Sequence, residues 1–410
     1  MIDLLEMAEH GDPSVQPTQA VEKIVLDGRS ENMPVYRIQL DKLYYNAQND
    51  RIATWISGYR AEHGERALES VSREEFNGIV EEFIVNSNPE AIRKTQGNIE
   101  LRTQERPGVV LANGLVIDGN RRFTCLRRLS RKNPQFGYFE AVILPTSYGD
   151  DPKAIKILEL SIQHATEEKV GYDPIDRLVG IYNDLLNPET SLLTKAEYAK
   201  YADMPEKEVD KQMEMAQYMV DFLEFIGAEG QFHIARELSL GSLFNEMPAI
   251  LKKCANEEQE EQVKNILFTN ILMQPQGDRV RFVRPIKLVL ESDRAEDFID
   301  RESDLTAEVV ERLAANEGSV EEGIRELQAD EGLAEQLEQT MESAASEAKR
   351  QKAIGSPAEA LKKALKDLDQ VEESIFDELG DESLRDVKSA LKKLNDRLCQ
   401  IEAAVREARE

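Results

Sequence analysis

Five consecutive residues, Asp118-Gly119-Asn120-Arg121-Arg122, combine the residue types that bind an anion. They lie where an apolar, strand-like stretch ends and a helix-like stretch begins. A helix that starts here offers unpaired backbone N–H groups and a positive dipole potential. Gly119 permits a sharp turn, and the arginines add forked, permanently charged donors that fit phosphate oxygens. We therefore predict a phosphate-binding turn, in which Asp118 could hold a metal ion or a ligand hydroxyl.

A simpler interpretation is that the two arginines are surface charges and that Asp118 only caps the helix. The neighbouring elements favour the binding turn instead. Apolar, β-branched runs at 109–111 and 115–117 flank Asn113-Gly114, a dipeptide that favours a hairpin because both residues tolerate positive φ. A basic helix and another strand follow between residues 121 and 145. The predicted order is hairpin, sharp turn, basic helix, strand.

The N-terminal region is less regular. Residues 1–30 are polar and acidic with no sustained period, which predicts a flexible leader. Residues 35–40 alternate apolar and polar side chains and predict a strand. A polar loop at 44–52 follows, and then helical signals dominate to about residue 96. The pattern predicts an α+β domain over residues 31–150.

Beyond residue 150 the pattern is mainly helical. A helical domain at 151–250 contains a helix-turn-helix-like segment at 193–225, and a helical connector at 251–302 follows. Residues 303–410 are rich in Ala, Glu, Leu and Lys, and from residue 361 their apolar residues recur every three or four positions. This spacing predicts an acidic helical hairpin or coiled coil, with a helix start at Ser356-Pro357, that packs on itself or on a partner chain.

Three segments together resemble a known superfamily. Residues 116–126 resemble the Gly-Glu-Arg-Arg box of the ParB N-terminal domain, and residues 160–163 and 172–178 resemble its second box. The helix-turn-helix-like segment follows where ParB places its own. The chain thus resembles the ParB/sulfiredoxin-like superfamily over residues 34–230. The resemblance implies an α+β ParB/sulfiredoxin-like domain followed by mainly α-helical domains.

The same resemblance implies a ligand. Chromosome-segregation ParB binds CTP and other members bind ATP, with Mg²⁺, so a nucleoside triphosphate is the expected cofactor. The residues that would contact its phosphates are Gly119, Asn120, Arg121 and Arg122, joined by Ser161 and Gln163 from the second box. Asp118 and Glu159 are the candidate acidic groups for catalysis, and no residue stands out as a base.

The chain departs from the ParB pattern at points that matter for chemistry. The glutamate of the first box is replaced by Asn120, and Leu160 stands at the glutamate position of the second box, with Glu159 one residue earlier. An insertion also separates Gln163 from Pro174. These departures favour nucleotide binding over turnover.

Two related chemistries fit less well. Sulfiredoxin carries its reactive cysteine at the position of Asn120, whereas Cys125 lies more than a turn farther along the helix and is expected to be a packing residue. The modification-dependent nucleases of the GmrSD type share an Asp-Gly-Gln-Gln-Arg turn. This chain shows no His-Asn-His nuclease signature, and its four histidines are isolated, which also argues against a metal centre built from histidine.

The charge of the chain restricts its partners. The net charge of −28 should repel DNA, so DNA binding would need a local basic patch, a nucleotide-gated state or a partner. The second helix of the helix-turn-helix-like segment, about 206–220, has more acidic than basic residues, and packing against the core explains it at least as well as groove reading. The three isolated cysteines, and the absence of a secretory signal or an 18-residue apolar run, predict a cytoplasmic protein with no membrane contact.

The predicted function is a ParB-like nucleotide-binding switch, using CTP or ATP with Mg²⁺, that controls DNA or partner engagement and could hydrolyse nucleotide slowly. In this hypothesis the nucleotide orders residues 151–180, in a mobile-element or genome-defence setting, and the C-terminal helices mediate homo-oligomer or partner contacts. One alternative is a nucleotide-dependent DNA-processing or phosphotransfer enzyme that uses Asp118 and Glu159. Another is a non-catalytic interaction protein on a ParB-like fold, which Asn120 and Leu160 favour.

Overall fold

A computed structural model describes residues 2–26, 29–145, 151–165, 173–273 and 283–408. The chain divides into two compact units, Met1–Ala345 and Ser346–Glu410. The first unit begins with a mixed β-sheet packed between helices and continues as a series of helices. The second unit contains helices.

Six strands in the described residues form one sheet with the order β1-β2-β6-β4-β5-β3. The pairs β1/β2, β2/β6 and β4/β5 are antiparallel, whereas β4/β6 and β3/β5 are parallel. The strands are β1 (Val15–Leu26), β2 (Arg29–Gln39), β3 (Tyr44–Tyr45), β4 (Gly108–Leu111), β5 (Leu115–Asp118) and β6 (Tyr138–Leu144).

The helices that surround the sheet lie before, between and after its strands in the sequence. They are α1 (Leu4–Glu9), α2 (Ala53–His63), α3 (Arg73–Ser87), α4 (Pro89–Arg102), α5 (Asn120–Ser130) and α6 (Pro152–Ala165). Alternate residues of the central strands face opposite layers. Val110 and Ile143 join a core that includes Phe123 of α5, whereas Val109 and Val142 join a core that includes Leu158 of α6. The two-sided burial explains why these strands are apolar throughout.

The predicted hairpin is confirmed. Residues 112–114 connect the antiparallel strands β4 and β5, and Gly114 has φ +94°. A Cβ at this position would overlap the carbonyl oxygen of Lys42, so both the backbone conformation and the space require glycine.

The prediction of a flexible leader at residues 1–30 is wrong for the described residues, because α1, β1 and the start of β2 occupy this segment. Leu4 and Val15 are fully buried and anchor it to the core. The strand β1 lies at the sheet edge, its side chains are largely exposed, and its pairing with β2 is irregular between Pro17 and Val21. An exposed, irregular edge strand has no alternation of apolar and polar residues from which a strand could be predicted.

The predicted polar loop at 44–52 is also only partly a loop. It contains β3 and a 3₁₀ turn, Asp50–Ile52. Tyr45 and Ile52 are buried in the core next to the sheet. Asn77 of α3 donates to the Leu43 carbonyl at 2.9 Å and accepts from the Tyr45 N–H at 3.2 Å, which satisfies the buried backbone here.

The rest of the first unit is helical, as predicted. A π-helix, Tyr182–Leu186, continues directly from α7. The helices are α7 (Pro174–Ile181), α8 (Lys195–Tyr201), α9 (Glu206–Phe225), α10 (Phe232–Glu237), α11 (Gly241–Leu251), α12 (Glu257–Met273), α13 (Ile286–Leu290), α14 (Ala295–Ala315), α15 (Val320–Gln328) and the first part of α16 (Glu331–Leu368).

The second unit consists of the last part of α16, a 3₁₀ turn at Glu373–Glu378 and α17 (Asp381–Glu407). The predicted helix start at Ser356-Pro357 is wrong, because α16 runs through Pro357. Two helical stretches are present as predicted, but none of the residues 381–407 of α17 is buried.

Among the described residues, none of the helices combines the length and the apolar content that a membrane span requires.

Candidate functional site

The N-terminus of α5 is the centre of the candidate site. The residue before it, Gly119, has φ +95° and ψ 18°, a left-handed conformation that glycine adopts readily. A Cβ on Gly119 would lie 2.9 Å from the Phe139 ring and from Nη2 of Arg122. No described side chain caps this helix, and its first turn contains no acidic residue. An uncapped helix start and the positive end of the helix dipole favour an anion at this position.

Contacts on the opposite face hold α5 in place. Arg127 lies largely buried and pairs with Glu81 of α3, Nε to Oε2, at 2.9 Å, and Arg131 reaches the same carboxylate at 2.8 Å. The hydroxyls of Tyr45 and Thr124 are 2.8 Å apart in the core. Arg127 and Arg131 are therefore paired with an acidic partner on the side of α5 that packs on α3.

A cavity of about 400 Å³ lies in front of this turn. Its size is within the range of small-molecule sites. All five residues of the predicted run 118–122 line it, together with Glu159 of the predicted second box. The remaining lining residues are Asn49, Arg51, Ile84, Ser87, Asn88, Thr95, Asn98, Ile99, Thr103, Gln104, Glu105, Arg106 and Ile117.

The side chain of Arg122 is oriented by two acceptors. Its Nη2 donates to Oδ2 of Asp118 at 3.0 Å and to the Pro107 carbonyl at 3.2 Å. The Asp118 carboxylate therefore positions the arginine. Two buried polar atoms at this turn, Nε of Arg122 and Oδ1 of Asn120, lack a hydrogen-bond partner in the described structure. A buried unsatisfied polar atom is costly, and a ligand in the cavity would satisfy it.

Glu159 enters the cavity from α6. Its carboxylate is buried and accepts a hydrogen bond from Nδ2 of Asn46. Burial raises the pKa of Glu159 to about 8, with help from the charge of Asp50, although Lys156 and Asn46 act to lower it. Near neutral pH this carboxyl group is largely protonated, and a nearby cation would ionise it.

Behind Glu159 lies a buried charge cluster that the sequence analysis missed. Nζ of Lys156 is 2.9 Å from both carboxylate oxygens of Asp50 and 3.1 Å from Oδ2 of Asp184. Burial opposes the charged amine, but Asp50, Asp184 and Glu159 outweigh that effect and raise the pKa of Lys156. Burial and Asp50 raise the pKa of Asp184 to about 7.

Local backbone features allow this cluster to form. Gly180 of α7 packs on Asp50, where a Cβ would lie 2.8 Å from the carboxylate. The π-helix then presents Asp184 to Lys156, and its wider turn is closed by the Asn187 N–H, which donates to the Tyr182 carbonyl at 2.8 Å. Such π-helical turns are rare and are often found at functional sites.

A segment with an uncommon backbone conformation also lines the cavity. Thr103, which ends α4, has φ +63°, an uncommon value for a β-branched residue. The next residue, Gln104, fixes the segment to β6: its Nε2 donates to the Glu140 carbonyl at 2.7 Å, and its Oε1 accepts from the Glu140 N–H at 2.9 Å. Three polar residues of α4 and its N-cap, Asn88, Thr95 and Asn98, also line the cavity. Their polar side chains on a predicted helix were the sequence feature that could have indicated this part of the cavity.

The second predicted box is only partly brought to the cavity. Leu160 is buried as an apolar residue. Ser161 lies on α6 but does not line the cavity, and the side chain of Gln163 lies outside the described structure. Within the described ranges, no group of three or more His, Cys, Asp or Glu side chains is placed to hold a metal ion.

Cys125 is a packing residue, as predicted. It is fully buried in the core, and burial raises the pKa of its thiol to about 12. The thiol is therefore protonated and unreactive at physiological pH.

The helix-turn-helix-like segment forms α8 and α9, with α9 packed into the helical core through Val209, Met219 and Phe222. Its outward side chains are mixed in charge, and Lys195 of α8 binds Asp210 of α9 at 2.9 Å. The exposed residues of α9 are Glu206, Lys207, Asp210, Lys211, Gln217 and Glu224. This face is not basic, which fits the packing interpretation better than groove reading.

Comparisons with known proteins give a weak structural likeness. No protein-family model matches the chain, and no curated protein matches it. A solved structure of a Pnob8-like ParB-N domain superposes on 70% of this chain and 99% of that chain, with a TM-score of 0.29 and 11% sequence identity. These values are too low to support an inference about function.

Proposed function

We propose that this protein binds a nucleoside triphosphate, CTP or ATP, with its phosphates at the start of α5. The observation that carries the proposal is the uncapped helix start at Gly119, which opens into a cavity that Arg121 and Arg122 also line. Backbone N–H groups, a helix dipole and two guanidinium groups converge there, as phosphate recognition requires. The sequence resemblance of residues 116–126 to the ParB box supports the same ligand.

Mg²⁺ fits the acidic side of this cavity. Magnesium is typically held by one or two carboxylates together with substrate phosphates, and Glu159 and the Oδ1 atom of Asn120 are the oxygen groups that would face it. When bound, the ion would neutralise phosphate charge. The positive charge of the ion would also lower the raised pKa of Glu159 and so favour its ionised form.

The wall formed by α4 suits a nucleoside. Asn88, Thr95 and Asn98 line the cavity and carry amide and hydroxyl groups that can hydrogen-bond the edge of a base or a ribose. These amide and hydroxyl groups can act as donors or acceptors, so they do not discriminate between cytosine and adenine. A titration with each nucleotide distinguishes CTP from ATP.

Helix α6 connects the cavity to the helical part of the first unit. Glu159 faces the cavity, and Lys156, less than one turn away, pairs with Asp184 of the π-helix. Ligand binding that ionises or moves Glu159 would alter this buried cluster and so bias the helices that follow. We propose that this coupling controls DNA or partner engagement.

Slow hydrolysis of the nucleotide is the second candidate function, and Glu159 is the observation that favours it. A carboxyl group with a pKa near 8, lying in the cavity, can accept a proton from an attacking water once it is ionised. Release of phosphate that is abolished in Glu159→Gln, with nucleotide binding retained, would support it.

The test is a calorimetric titration of the full chain with CTP, ATP and GTP, each with Mg²⁺. We expect one nucleotide to bind saturably and the variant Arg121→Ala/Arg122→Ala to lose at least about 100-fold in affinity, given roughly 1.5–3 kcal/mol for each of the two charge-assisted contacts. Arg128→Ala removes a charge from the same helix outside the cavity and should keep binding. No saturable binding of any nucleotide would overturn the proposal.

A further inference from the structure

The last helix, α17, carries an apolar stripe that the described structure leaves uncovered. None of the residues from Asp381 to Glu407 is buried. Leu391, Leu398 and Val405 are 54%, 39% and 60% exposed. The stripe alternates three- and four-residue steps without a break and consists of Leu384, Val387, Leu391, Leu394, Leu398, Ile401 and Val405.

This spacing defines the kind of structural element that can pack on the stripe. A 3,4 repeat averages 3.5 residues, which keeps the seam in contact only with another helix that supercoils with it. Wherever two stripe residues are three positions apart, the first occupies heptad position a and the second occupies heptad position d. Leu391 and Leu398 are thus a positions, and Leu394 and Ile401 are d positions. Over three heptads this is enough for a coiled coil.

The charge of α17 differs from that of the chain. The chain carries a net charge of −28, which opposes contact between two copies. Between Asp381 and Glu407, however, six acidic and six basic residues balance, and all of them lie off the stripe. This helix is therefore a surface on which two copies can meet without net repulsion.

The flanking charges favour one orientation. Arg397 occupies a g position, and Glu402, five residues later, occupies an e position. In a parallel pair in register, g of one helix faces the following e of the other, so Arg397 and Glu402 would pair twice across the interface. The antiparallel arrangement that opposes Leu391 and Leu394 does not bring these two charges together.

We propose that α17 binds α17 of a second copy of this chain as a parallel, in-register coiled coil. The proposal does not depend on nucleotide binding. It identifies the stripe, Arg397 and Glu402 as the contact surface of a homodimer.

Sedimentation equilibrium of the full chain at micromolar concentration tests it. We expect twice the chain mass of 46.5 kDa for the wild type and a single chain for Leu391→Asp/Leu398→Asp. The matched control, Ser389→Asp/Ala403→Asp, adds the same charge on the outer face of the helix and should remain dimeric. A monomeric wild type, a dimer that survives the stripe substitutions, or a dimer that the control also dissociates would overturn the proposal.

Disulfide trapping tests the orientation. In a Cys254→Ser/Cys399→Ser background, Leu391→Cys should cross-link to itself under mild oxidation, since a positions face each other in a parallel pair. The background without Leu391→Cys should give no cross-link. Cross-linking only when Leu391→Cys is combined with Leu394→Cys would show an antiparallel pair and overturn the stated register.

Discussion

The guanidinium group of Arg122 donates to the carboxylate of Asp118 at 3.0 Å, across the left-handed turn at Gly119. The two side chains are one helical turn apart, and both line the cavity. Without a ligand, Asp118 both holds Arg122 and offsets its charge. The aspartate is therefore a positioning residue, and under the proposed function its charge would weaken the attraction for phosphate.

Asp118→Asn should raise the affinity for nucleotide about 3- to 10-fold at low salt. The amide oxygen can still accept from Arg122, while a negative charge near the phosphates is removed, an effect worth on the order of 1 kcal/mol in a partly exposed site. Calorimetry on the wild type and the variant measures it. Weaker binding in Asp118→Asn would show instead that Asp118 contacts the ligand or its metal ion.

Gly119→Ala should destabilise the first unit by about 1–3 kcal/mol and lower nucleotide affinity, because the left-handed backbone is strained with a Cβ. The new methyl group would also meet the Phe139 ring at 2.9 Å. Thermal unfolding compares it with Gly97→Ala on α4, where a Cβ meets nothing within 4 Å. The control should be neutral or slightly stabilising. Equal melting temperatures for the two variants would contradict the role given to this turn.

Without Mg²⁺, nucleotide affinity should fall about 10-fold between pH 7 and pH 9. The reason is that Glu159, whose pKa is raised to about 8, becomes charged beside the phosphates over this range. Glu159→Gln should flatten this part of the profile. If the wild type and the variant show the same slope, Glu159 does not face the ligand.

The same carboxyl group affects folding. Because its folded pKa lies above the unfolded value of 4.5, its contribution to stability is fully present below about pH 4.5 and is lost as the pH rises through 8.

Glu302→Gln should stabilise the protein at pH 8 and change little at pH 4.5. Glu302 of α14 is fully buried and accepts from Nδ2 of Asn270 at 2.7 Å, and burial raises its pKa from 4.5 to about 7. Ionising it in the folded state costs roughly 3 kcal/mol above pH 7, which glutamine avoids. Urea unfolding at both pH values measures the difference. A variant that is less stable at pH 8 would show that the charge of Glu302 is needed in the fold.

The local part of the site could be predicted from the sequence, and the non-local part could not. The hairpin at 113–114, the turn at Gly119 and the amphipathic α5 depend on residues close together in sequence, whose types define the conformation. Lys156 and its partners Asp50 and Asp184 lie in three separate segments, and nothing in their spacing reveals that they meet. The strand β1 was missed because an exposed edge strand carries no apolar alternation.

The π-helix at Tyr182–Leu186 places a limit on how this protein can change over evolutionary time. A π-turn holds one residue more than an α-turn, so deleting a single residue would let the segment relax into an ordinary helix. Asp184 would leave Lys156, and the buried amine would lose one of its two carboxylate partners. The length of this stretch and its aspartate are therefore both constrained by the buried charge of Lys156.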